Sequence, residues 1–390
     1  MIKVCILGST GSIGRSALEV VARHSDRFRV VALAANRSVD ELAEQVRRFR
    51  PARAVLCDAR ATPPPDANGT KWTSGRSALL DVAADPDVDV VLNALVGAAG
   101  LEPTLRALEA GHRLALANKE SLVAGGQLVI DAASRGGAEI VPIDSEHSAI
   151  LQCCEGYPGS SVHRVVLTAS GGPFRGRNTE ALWHVRPEDA LRHPTWDMGA
   201  KITVDSATLA NKALEVIEAH YLYRLDYDAI DAVIHPQSVI HSFVEFVDGS
   251  VLAQLGFPTM ELPILYALSY PERLEDPALR TYDPVGASPL TFEDIDHESF
   301  PLFRLGTDAG RKGGGAPAVY NAGNEIAVQA FLGGEVRFPE MAEVVSGALM
   351  RVGAGGIRDT RDVLEADLAA REAAGDVARR LGGARTGAAS

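Results

Sequence analysis

Two carboxylates stand one residue apart in the segment Asp144-Ser145-Glu146, directly after an apolar run over 138–143. Unpaired, they would repel each other. A hard divalent cation would relieve that repulsion, and oxygen donors favour Mg²⁺ or Mn²⁺, with Co²⁺ as a further candidate, over zinc. The alternative is that these acidic side chains begin a helix, where they interact favourably with the helix dipole.

A second polar cluster follows about 60 residues later in the chain. Asp205-Ser206-Ala207-Thr208 has the composition of a helix start, and we predict a helix from 205 to 220. Asn211, Lys212 and Glu215 then share one helix face, because they are three or four residues apart. This stripe suits a phosphate at one end and a metal ion at the other. An ordinary capped helix with a Lys212–Glu215 pair is the alternative.

A third candidate site is the glycine loop Gly8-Ser9-Thr10-Gly11-Ser12-Ile13-Gly14, which lies between the first predicted strand and the first predicted helix. Glycines permit a tight turn there, and backbone N–H groups at the helix start can hold a pyrophosphate. The spacing departs from the commoner G-x-G-x-x-G. The loop therefore predicts dinucleotide binding, with an ordinary glycine-rich turn as the alternative.

The end of the second predicted strand indicates which dinucleotide would fit. It carries Asn36-Arg37-Ser38, with a guanidinium and a hydroxyl where a carboxylate would bind the 2′-hydroxyl of NAD. These groups favour NADP(H), although a solvated surface arginine is the alternative. Lys119 follows another strand, and it is either a ligand contact or a solvated loop charge.

Six short apolar runs alternate with helical patterns in the first 150 residues, which predicts a doubly wound, Rossmann-like α/β domain over 1–145. Parallel strands all end at one edge of their sheet, so the glycine loop, Arg37, the segment Asn118-Lys119-Glu120 and Asp144 should gather there. The predicted strands are 3–7, 29–34, 53–57, 88–93, 113–117 and 138–143.

The remaining chain predicts an α+β catalytic domain over 146–270 with an open sheet and a small helical C-terminal domain over 316–381. Residues 160–200 are punctuated by Gly and Pro and indicate a loop, with a lid at about 170–200. Asp248-Gly249 predicts a hairpin. The further predictions are strands at 232–235, 239–247 and 250–255, a linker over 271–315 and a disordered tail over 382–390.

Composition narrows the class of protein. The 390 residues suggest two or three domains, and 38 basic against 51 acidic side chains give a net charge of −13, which argues against nucleic-acid or anionic-lipid partners. No apolar stretch reaches the roughly 18 residues of a membrane span. The 4 cysteines lack zinc spacing and no leader precedes the first strand, so we expect reduced thiols and a cytoplasmic location.

Taken together, these residues resemble the 1-deoxy-D-xylulose 5-phosphate reductoisomerase family. The resemblance runs in register from residue 1 to about 330, where Asn321–Glu325 is similar to the start of the family's C-terminal helical domain. It rests on seven motifs, at 8–14, 118–121, 144–147, 170–174, 193–196, 201–215 and 235–241.

The resemblance implies an NADP-dependent oxidoreductase. It implies that 1-deoxy-D-xylulose 5-phosphate, a small phosphorylated sugar, is rearranged and reduced by NADPH to 2-C-methyl-D-erythritol 4-phosphate in non-mevalonate isoprenoid biosynthesis. Asp144, Glu146 and Glu215 would bind the metal, which acts as a Lewis acid on the substrate oxygens. The substrate phosphate would be bound by Ser170, His193, Ser206, Asn211 and Lys212.

The same resemblance assigns further roles. Lys119 and Ser145 would contact the hydroxylated carbons, and Trp196 and Met198 would belong to a lid that closes over the substrate. A homodimer is implied, formed through the sheet at 239–255. The residues expected to bind NADPH are Thr10, Gly11, Ser12, Ile13, Asn36, Arg37, Ser38, Asn118, Glu120 and Gly199; those expected in catalysis are Lys119, Glu146, His193 and Glu215.

Three rival functions make different predictions. A metal-dependent sugar-phosphate aldolase or isomerase with a structural nucleotide would form product without consuming NADPH. A non-enzymatic NADP sensor would need neither Glu146 nor Glu215. A dehydrogenase of the aspartate-semialdehyde type would require a nucleophilic cysteine beside the nicotinamide, a setting that Cys153-Cys154 lacks.

Overall fold

The structure, a computed structural model, describes residues 1–64, 69–196 and 198–388. The chain divides into two compact units. Unit 1 comprises 1–122, 126–148 and 259–280, and unit 2 comprises 123–125, 149–258 and 281–390.

Unit 1 is built on a seven-stranded parallel sheet in the order β4-β3-β2-β1-β5-β6-β7. This confirms the Rossmann-like fold. The edge strand β4, which follows a proline-rich segment, was not predicted. The strands are β1 Ile2–Leu7, β2 Phe28–Ala35, β3 Arg53–Leu56, β4 Lys71–Ser74, β5 Val90–Asn93, β6 Arg113–Leu116 and β7 Ile140–Pro142.

The inner strands of this sheet are mostly apolar because helices cover both faces. In β1 and β5, residues 4–7 and 90–93 are all buried. The helices between residues 1 and 154 are α1 Ser12–Arg23, α2 Val39–Phe49, α3 Arg76–Ala83, α4 Leu101–Glu109, α5 Lys119–Gly125, α6 Gln127–Gly136 and α7 Ser145–Cys154.

Unit 1 also contains a helix from much later in the chain, α12 Glu261–Ser269, which packs against α1, β6 and β7. Arg23 Nη2 donates to Glu261 Oε2 at 2.6 Å, and Arg23 Nε donates to Asp276 Oδ2 at 2.9 Å. The prediction that 146–270 forms one catalytic domain is therefore wrong at its end. These partners lie more than 200 residues apart in sequence, so no local pattern indicates the contact.

Unit 2 contains a four-stranded mixed sheet in the order β11-β10-β8-β9. Strand β10 is antiparallel to both neighbours, while β8 and β9 are parallel. The predicted hairpin is confirmed, with Gly249 at φ 84° between β10 and β11. Strand β8 replaces the start of the expected loop. The strands are β8 Val162–Ala169, β9 Ile230–Ile234, β10 Ile240–Phe246 and β11 Val251–Leu255.

The C-terminal helices share one continuous hydrophobic core with β8 and α11, so the structure does not separate the predicted C-terminal domain over 316–381 as its own compact unit. Among the described residues, no helix is long and apolar enough to cross a bilayer. The remaining helices are α8 Thr179–Leu182, α9 Pro187–Ala190, α10 Ala200–Ala207, α11 Ala210–Tyr223, α13 Pro301–Lys312, α14 Ala316–Leu332, α15 Met341–Val352 and α16 Thr360–Ala388.

Three predicted boundaries need correction. The helix predicted over 205–220 is broken, because Leu209 is left-handed at φ 60° and separates α10 from α11. The linker predicted over 271–315 contains α13, which begins at Pro301 and ends before Gly313, an ordinary helix start and stop. Helix α16 also continues through 382–388, where we expected disorder; residues 389 and 390 lie outside the described residues.

Candidate active site

The glycine loop of unit 1, residues 8–14, is fixed by its own backbone and by a side chain of α2. Gly8 has φ 88°, and a Cβ on Gly14 would overlap the Gly8 carbonyl oxygen. Ser9 Oγ donates to Gln45 Oε1 at 2.7 Å, and Gln45 Nε2 donates back to the Ser9 carbonyl at 2.9 Å. Gly11 caps α1 without a side chain, and the N–H groups of a first helical turn have no partner inside the helix. This geometry suits a pyrophosphate.

Asn118 and Glu120 shape the neighbouring loop after β5. Asn118 is buried, and its Nδ2 lies 2.8 Å from the Leu95 carbonyl oxygen and 3.1 Å from that of Gly97. The same nitrogen donates to Glu120 Oε2 at 3.0 Å. Asn118 therefore fixes the backbone of 95–97 at the carboxyl edge of the sheet, and Glu120 accepts from the same amide.

At the end of β7, two segments that were predicted to share one edge of the sheet, 118–120 and 144–146, are in contact. The buried Lys119 ammonium forms an ion pair with Asp144, and Ser145 Oγ donates to Glu146 Oε2 at 2.6 Å. Asp144 and Glu146 are half-buried. The edge therefore offers carboxylate and hydroxyl oxygens, the donor types that Mg²⁺ and Mn²⁺ prefer.

The segment after β2 is exposed at Asn36, Arg37 and Ser38. Arg37 Nε donates to Asp58 Oδ2 at 2.8 Å. Sequence reasoning missed Asp58, although it lies two residues after the end of β3, and the rule that parallel strands end at one edge would have found it.

In unit 2, His193 lies between two serines. Its Nε2 is 3.0 Å from Ser170 Oγ and 3.1 Å from Ser206 Oγ. Ser170 follows β8 and Ser206 lies on α10. Gly172, at φ 65°, allows this approach, because a Cβ there would lie 2.8 Å from the Ser206 carbonyl oxygen.

The protonation of His193 follows from its contacts. The backbone N–H groups of Thr195 and Trp196 donate to Nδ1 at 3.1 Å and 2.9 Å, so this nitrogen carries a lone pair. Burial lowers the pKa of His193 to about 4. The neutral ring therefore carries its proton on Nε2. Ser170 Oγ accepts from this nitrogen and from Gly172 N–H at 3.2 Å, which leaves its hydroxyl hydrogen to donate elsewhere.

Helix α11 carries the second predicted polar stripe. Asn211 Nδ2 donates to Glu215 Oε1 at 2.5 Å, and the Lys212 ammonium pairs with the other oxygen of that carboxylate. Lys212 and Glu215 are almost completely buried. A buried ion pair is stable only when its remaining polar atoms are satisfied, and Asn211 contributes one such bond.

Asp205 has a role that the sequence did not indicate. It lies inside α10, is buried, and accepts from Lys201 Nζ at 2.9 Å and from Asn324 Nδ2 at 2.7 Å. Asn324 comes from α14, 119 residues later in the chain. Asp205 therefore fastens the helix that carries Ser206 to the C-terminal part of unit 2.

The predicted lid contains two short helices, α8 and α9, in an otherwise irregular segment. Its start is anchored, because Phe174 is buried and its ring lies 4.9 Å from that of Phe338. Trp196 and Met198 are half-buried, and Gly199 caps α10.

The structure groups the predicted residues in separate clusters. Asp144 and Glu146 lie in unit 1, whereas Glu215 lies in unit 2. Within the described ranges, no three His, Cys, Asp or Glu side chains form a metal-binding group. The donor types nevertheless fit a hard divalent cation, because all three side chains are carboxylates.

Comparison with known proteins gives consistent matches along the chain. The family model described as 1-deoxy-D-xylulose 5-phosphate reductoisomerase matches residues 4–126, and models of the family's C-terminal domains match 140–223 and 255–373. The reductoisomerase of Ralstonia nicotianae is 51% identical over 96% of this chain and 97% of its own length. That of Symbiobacterium thermophilum is 50% identical over 95% and 97%.

Solved structures of reductoisomerases also match the fold of this chain. The Zymomonas mobilis reductoisomerase in complex with NADPH has a TM-score of 0.88 and 40% identity, covering 97% of this chain and 99% of its own. A DOX-P reductoisomerase in complex with NADPH, fosmidomycin and magnesium has a TM-score of 0.91 and 38% identity, covering 98% and 99%.

The His193 tautomer can be tested by nitrogen NMR of the imidazole rings. We expect a neutral ring with its proton on Nε2 from pH 8 down to about pH 5. As the pH falls from roughly 6.5 towards 4, the unfolded chain gains this proton before the folded protein does, so the free energy of unfolding should decrease. The His193→Asn variant identifies the signal. A proton on Nδ1, or a charged ring at pH 6, would contradict the assignment.

Gly172→Ala should separate Ser170 from Ser206 and weaken binding of inorganic phosphate by about tenfold or more. The left-handed backbone alone costs roughly 1–2 kcal/mol for alanine. Gly176→Ala is the matched control, because Gly176 has φ 76° and open space around its Cβ position. Calorimetric titration should show a loss for Gly172→Ala only; equal losses would mean that the contact with α10 is unimportant.

Proposed function

The chain belongs to the 1-deoxy-D-xylulose 5-phosphate reductoisomerase family, and from this premise we propose which of its residues carry out the family reaction. In that reaction, 1-deoxy-D-xylulose 5-phosphate is rearranged and then reduced with NADPH to 2-C-methyl-D-erythritol 4-phosphate, with a divalent metal ion. The observation that carries the assignment is the Ser170–His193–Ser206 cluster of unit 2.

This cluster binds the substrate phosphate. Since the Nε2 proton of His193 is shared between the two serine oxygens, both hydroxyl hydrogens can point towards phosphate oxygens. A neutral imidazole in this position adds no charge, so the positive charge must come from elsewhere. Lys212 is the proposed cation, and the neutral Asn211 amide in the first turn of α11 adds a hydrogen-bond donor.

Asp144, Glu146 and Glu215 are the proposed ligands of Mg²⁺ or Mn²⁺. Two of these carboxylates are paired with a lysine ammonium, Asp144 with Lys119 and Glu215 with Lys212. Each lysine thus neutralises a carboxylate within its own unit. When bound, the cation supplies Lewis-acid polarisation of the substrate oxygens.

NADPH, which supplies the hydride, is proposed to bind along the carboxyl edge of the unit 1 sheet. The N–H groups of Ser12 and Ile13 at the start of α1 would hold the pyrophosphate, with Thr10 and Gly11 forming the turn before them. The segment Asn36-Arg37-Ser38 would contact the adenosine ribose, and Gly199 the nicotinamide end.

The proton-transfer groups are part of the same proposal. The hydrogen bonds of His193 Nε2 to Ser170 and Ser206 support phosphate binding by this ring rather than proton transfer at the substrate carbons. The proposed proton-transfer groups are therefore Lys119 Nζ, the Glu146 carboxylate and metal-bound substrate oxygens. Ser145 Oγ orients Glu146 through its 2.6 Å hydrogen bond.

We further propose a homodimer and a cytoplasmic location. Strand β11 is an edge strand, and Val251 and Leu252 on it are exposed at 53% and 38%. An exposed apolar edge is a surface that pairing with a second copy would cover. The four cysteines are free thiols, which supports a reducing compartment.

The activity is tested by following NADPH absorbance with purified protein and 1-deoxy-D-xylulose 5-phosphate. With Mg²⁺ present, NADPH should be consumed, and excess EDTA should stop the reaction. Glu146→Gln should lower kcat by about a hundredfold or more, because it removes a charged metal ligand. The matched control Glu139→Gln, at the opposite end of β7, should keep full activity. Product formed without NADPH consumption would favour the aldolase.

The dimer is tested by sedimentation velocity. The wild-type protein should sediment with twice the monomer mass, and Leu252→Lys should sediment as a monomer because it places a charge on the proposed interface. Leu368→Lys is the control, since Leu368 is an exposed leucine on α16 at 69%. A dimer that survives Leu252→Lys would exclude this edge.

A further inference from the structure

An arginine outside the assigned residues lies close to the proposed cofactor edge. The segment 57–60 follows β3, and β3 is the parallel neighbour of β2. Cys57 N–H donates to the Ala35 carbonyl at 2.8 Å, and Asp58 N–H donates to the Asn36 carbonyl at 3.2 Å. The segment therefore runs directly beside the one that carries Arg37.

Asp58 binds two guanidinium groups at once. Oδ1 accepts from the backbone N–H and Nε of Arg60, both at 3.0 Å. Oδ2 accepts from Arg60 Nη2 and from Arg37 Nε, both at 2.8 Å. A carboxylate has about four lone-pair positions, so these four bonds fill it. Asp58 therefore has no capacity left for the 2′-hydroxyl of NAD.

The cluster presents positive charge to a ligand. Two guanidinium groups and one carboxylate leave a net charge of about +1, and hydrogen bonds from Arg60 hold the pKa of Asp58 well below its usual range. The side chains of Arg37 and Arg60 are exposed at 70% and 79%, whereas that of Asp58 is exposed at 13%. An incoming anion would meet the arginines rather than the carboxylate.

We propose that Arg60 and Arg37 together bind the 2′-phosphate of NADPH, and that Asp58 is a positioning residue that holds both guanidinium groups at the edge of the sheet. Guanidinium groups bind phosphate through paired N–H donors. The bonds to Asp58 use only the Nε of Arg37, which leaves its two terminal nitrogens to face the ligand. Arg60 thereby helps discriminate NADPH from NADH.

This inference rests on the proposed function, since it names a further contact for the NADPH of that function. The competing explanation is a surface ion pair that only stabilises the turn after β3. Such a pair would contribute little to stability and nothing to nucleotide binding. The two explanations differ in whether removing Arg60 affects only ligands that carry a 2′-phosphate.

The experiment compares binding of adenosine 2′,5′-bisphosphate and adenosine 5′-monophosphate by isothermal titration calorimetry to the full-length protein. Arg60→Met should weaken binding of the bisphosphate by about tenfold, the effect of losing one charge-assisted contact, and leave the monophosphate unchanged. Arg29→Met is the matched control, because Arg29 is an exposed arginine near the start of β2, at the opposite edge of the sheet. It should change neither affinity.

The outcomes separate the two claims. If the wild-type enzyme consumes NADPH but Arg60→Met binds the bisphosphate as tightly as Arg29→Met does, the role of Arg60 is overturned and the proposed function stands. If the wild-type protein binds both nucleotides equally, the inference fails together with the NADP preference of the proposed function. A loss for both nucleotides in Arg60→Met would also overturn it, because the effect would not depend on the 2′-phosphate.

Discussion

Two backbone N–H groups directed at one ring nitrogen determine the geometry of the Ser170–His193–Ser206 cluster of unit 2. Thr195 and Trp196 donate to Nδ1 of His193, and this leaves Nε2 as the proton-bearing nitrogen that faces Ser170 and Ser206. Two further residues support this geometry. Gly172 permits the close approach, and the buried Asp205 fixes α10 through Asn324. The imidazole acts as a neutral spacer that orients two hydroxyl groups.

Two of the three proposed metal-binding carboxylates are each paired with a lysine of their own unit. Lys119 neutralises Asp144 in unit 1, and Lys212 neutralises Glu215 in unit 2. Each of these lysines is thus positioned by a carboxylate with a proposed ligand role, so the groups that would contact the substrate and those that would hold the metal ion are electrostatically coupled. Replacing either member of a pair removes a charge that the other member balances, which is costly whatever its catalytic role.

Much of this arrangement was predictable from local sequence. The apolar runs gave all strands of the large sheet except β4, and the shared edge of parallel strands brought Lys119 to Asp144 as expected. The features that the sequence did not predict depend on contacts between distant residues or on residue types that are also common in loops. Asn324 and Asp205 share no local pattern, and α13 was hidden because Pro301 and Gly313, which begin and end it, are also typical of loops.

The position of α12 has a consequence for how the protein is made. Unit 1 is completed by residues 259–280, which Arg23 binds through Glu261 and Asp276. During synthesis, the first 148 residues leave the ribosome long before this helix, with the α12-facing surfaces of α1, β6 and β7 uncovered. More than a hundred further residues must therefore be synthesised before the last helix of the Rossmann-like domain can dock. For the same reason, an N-terminal fragment that ends after β7 would lack part of the core of unit 1.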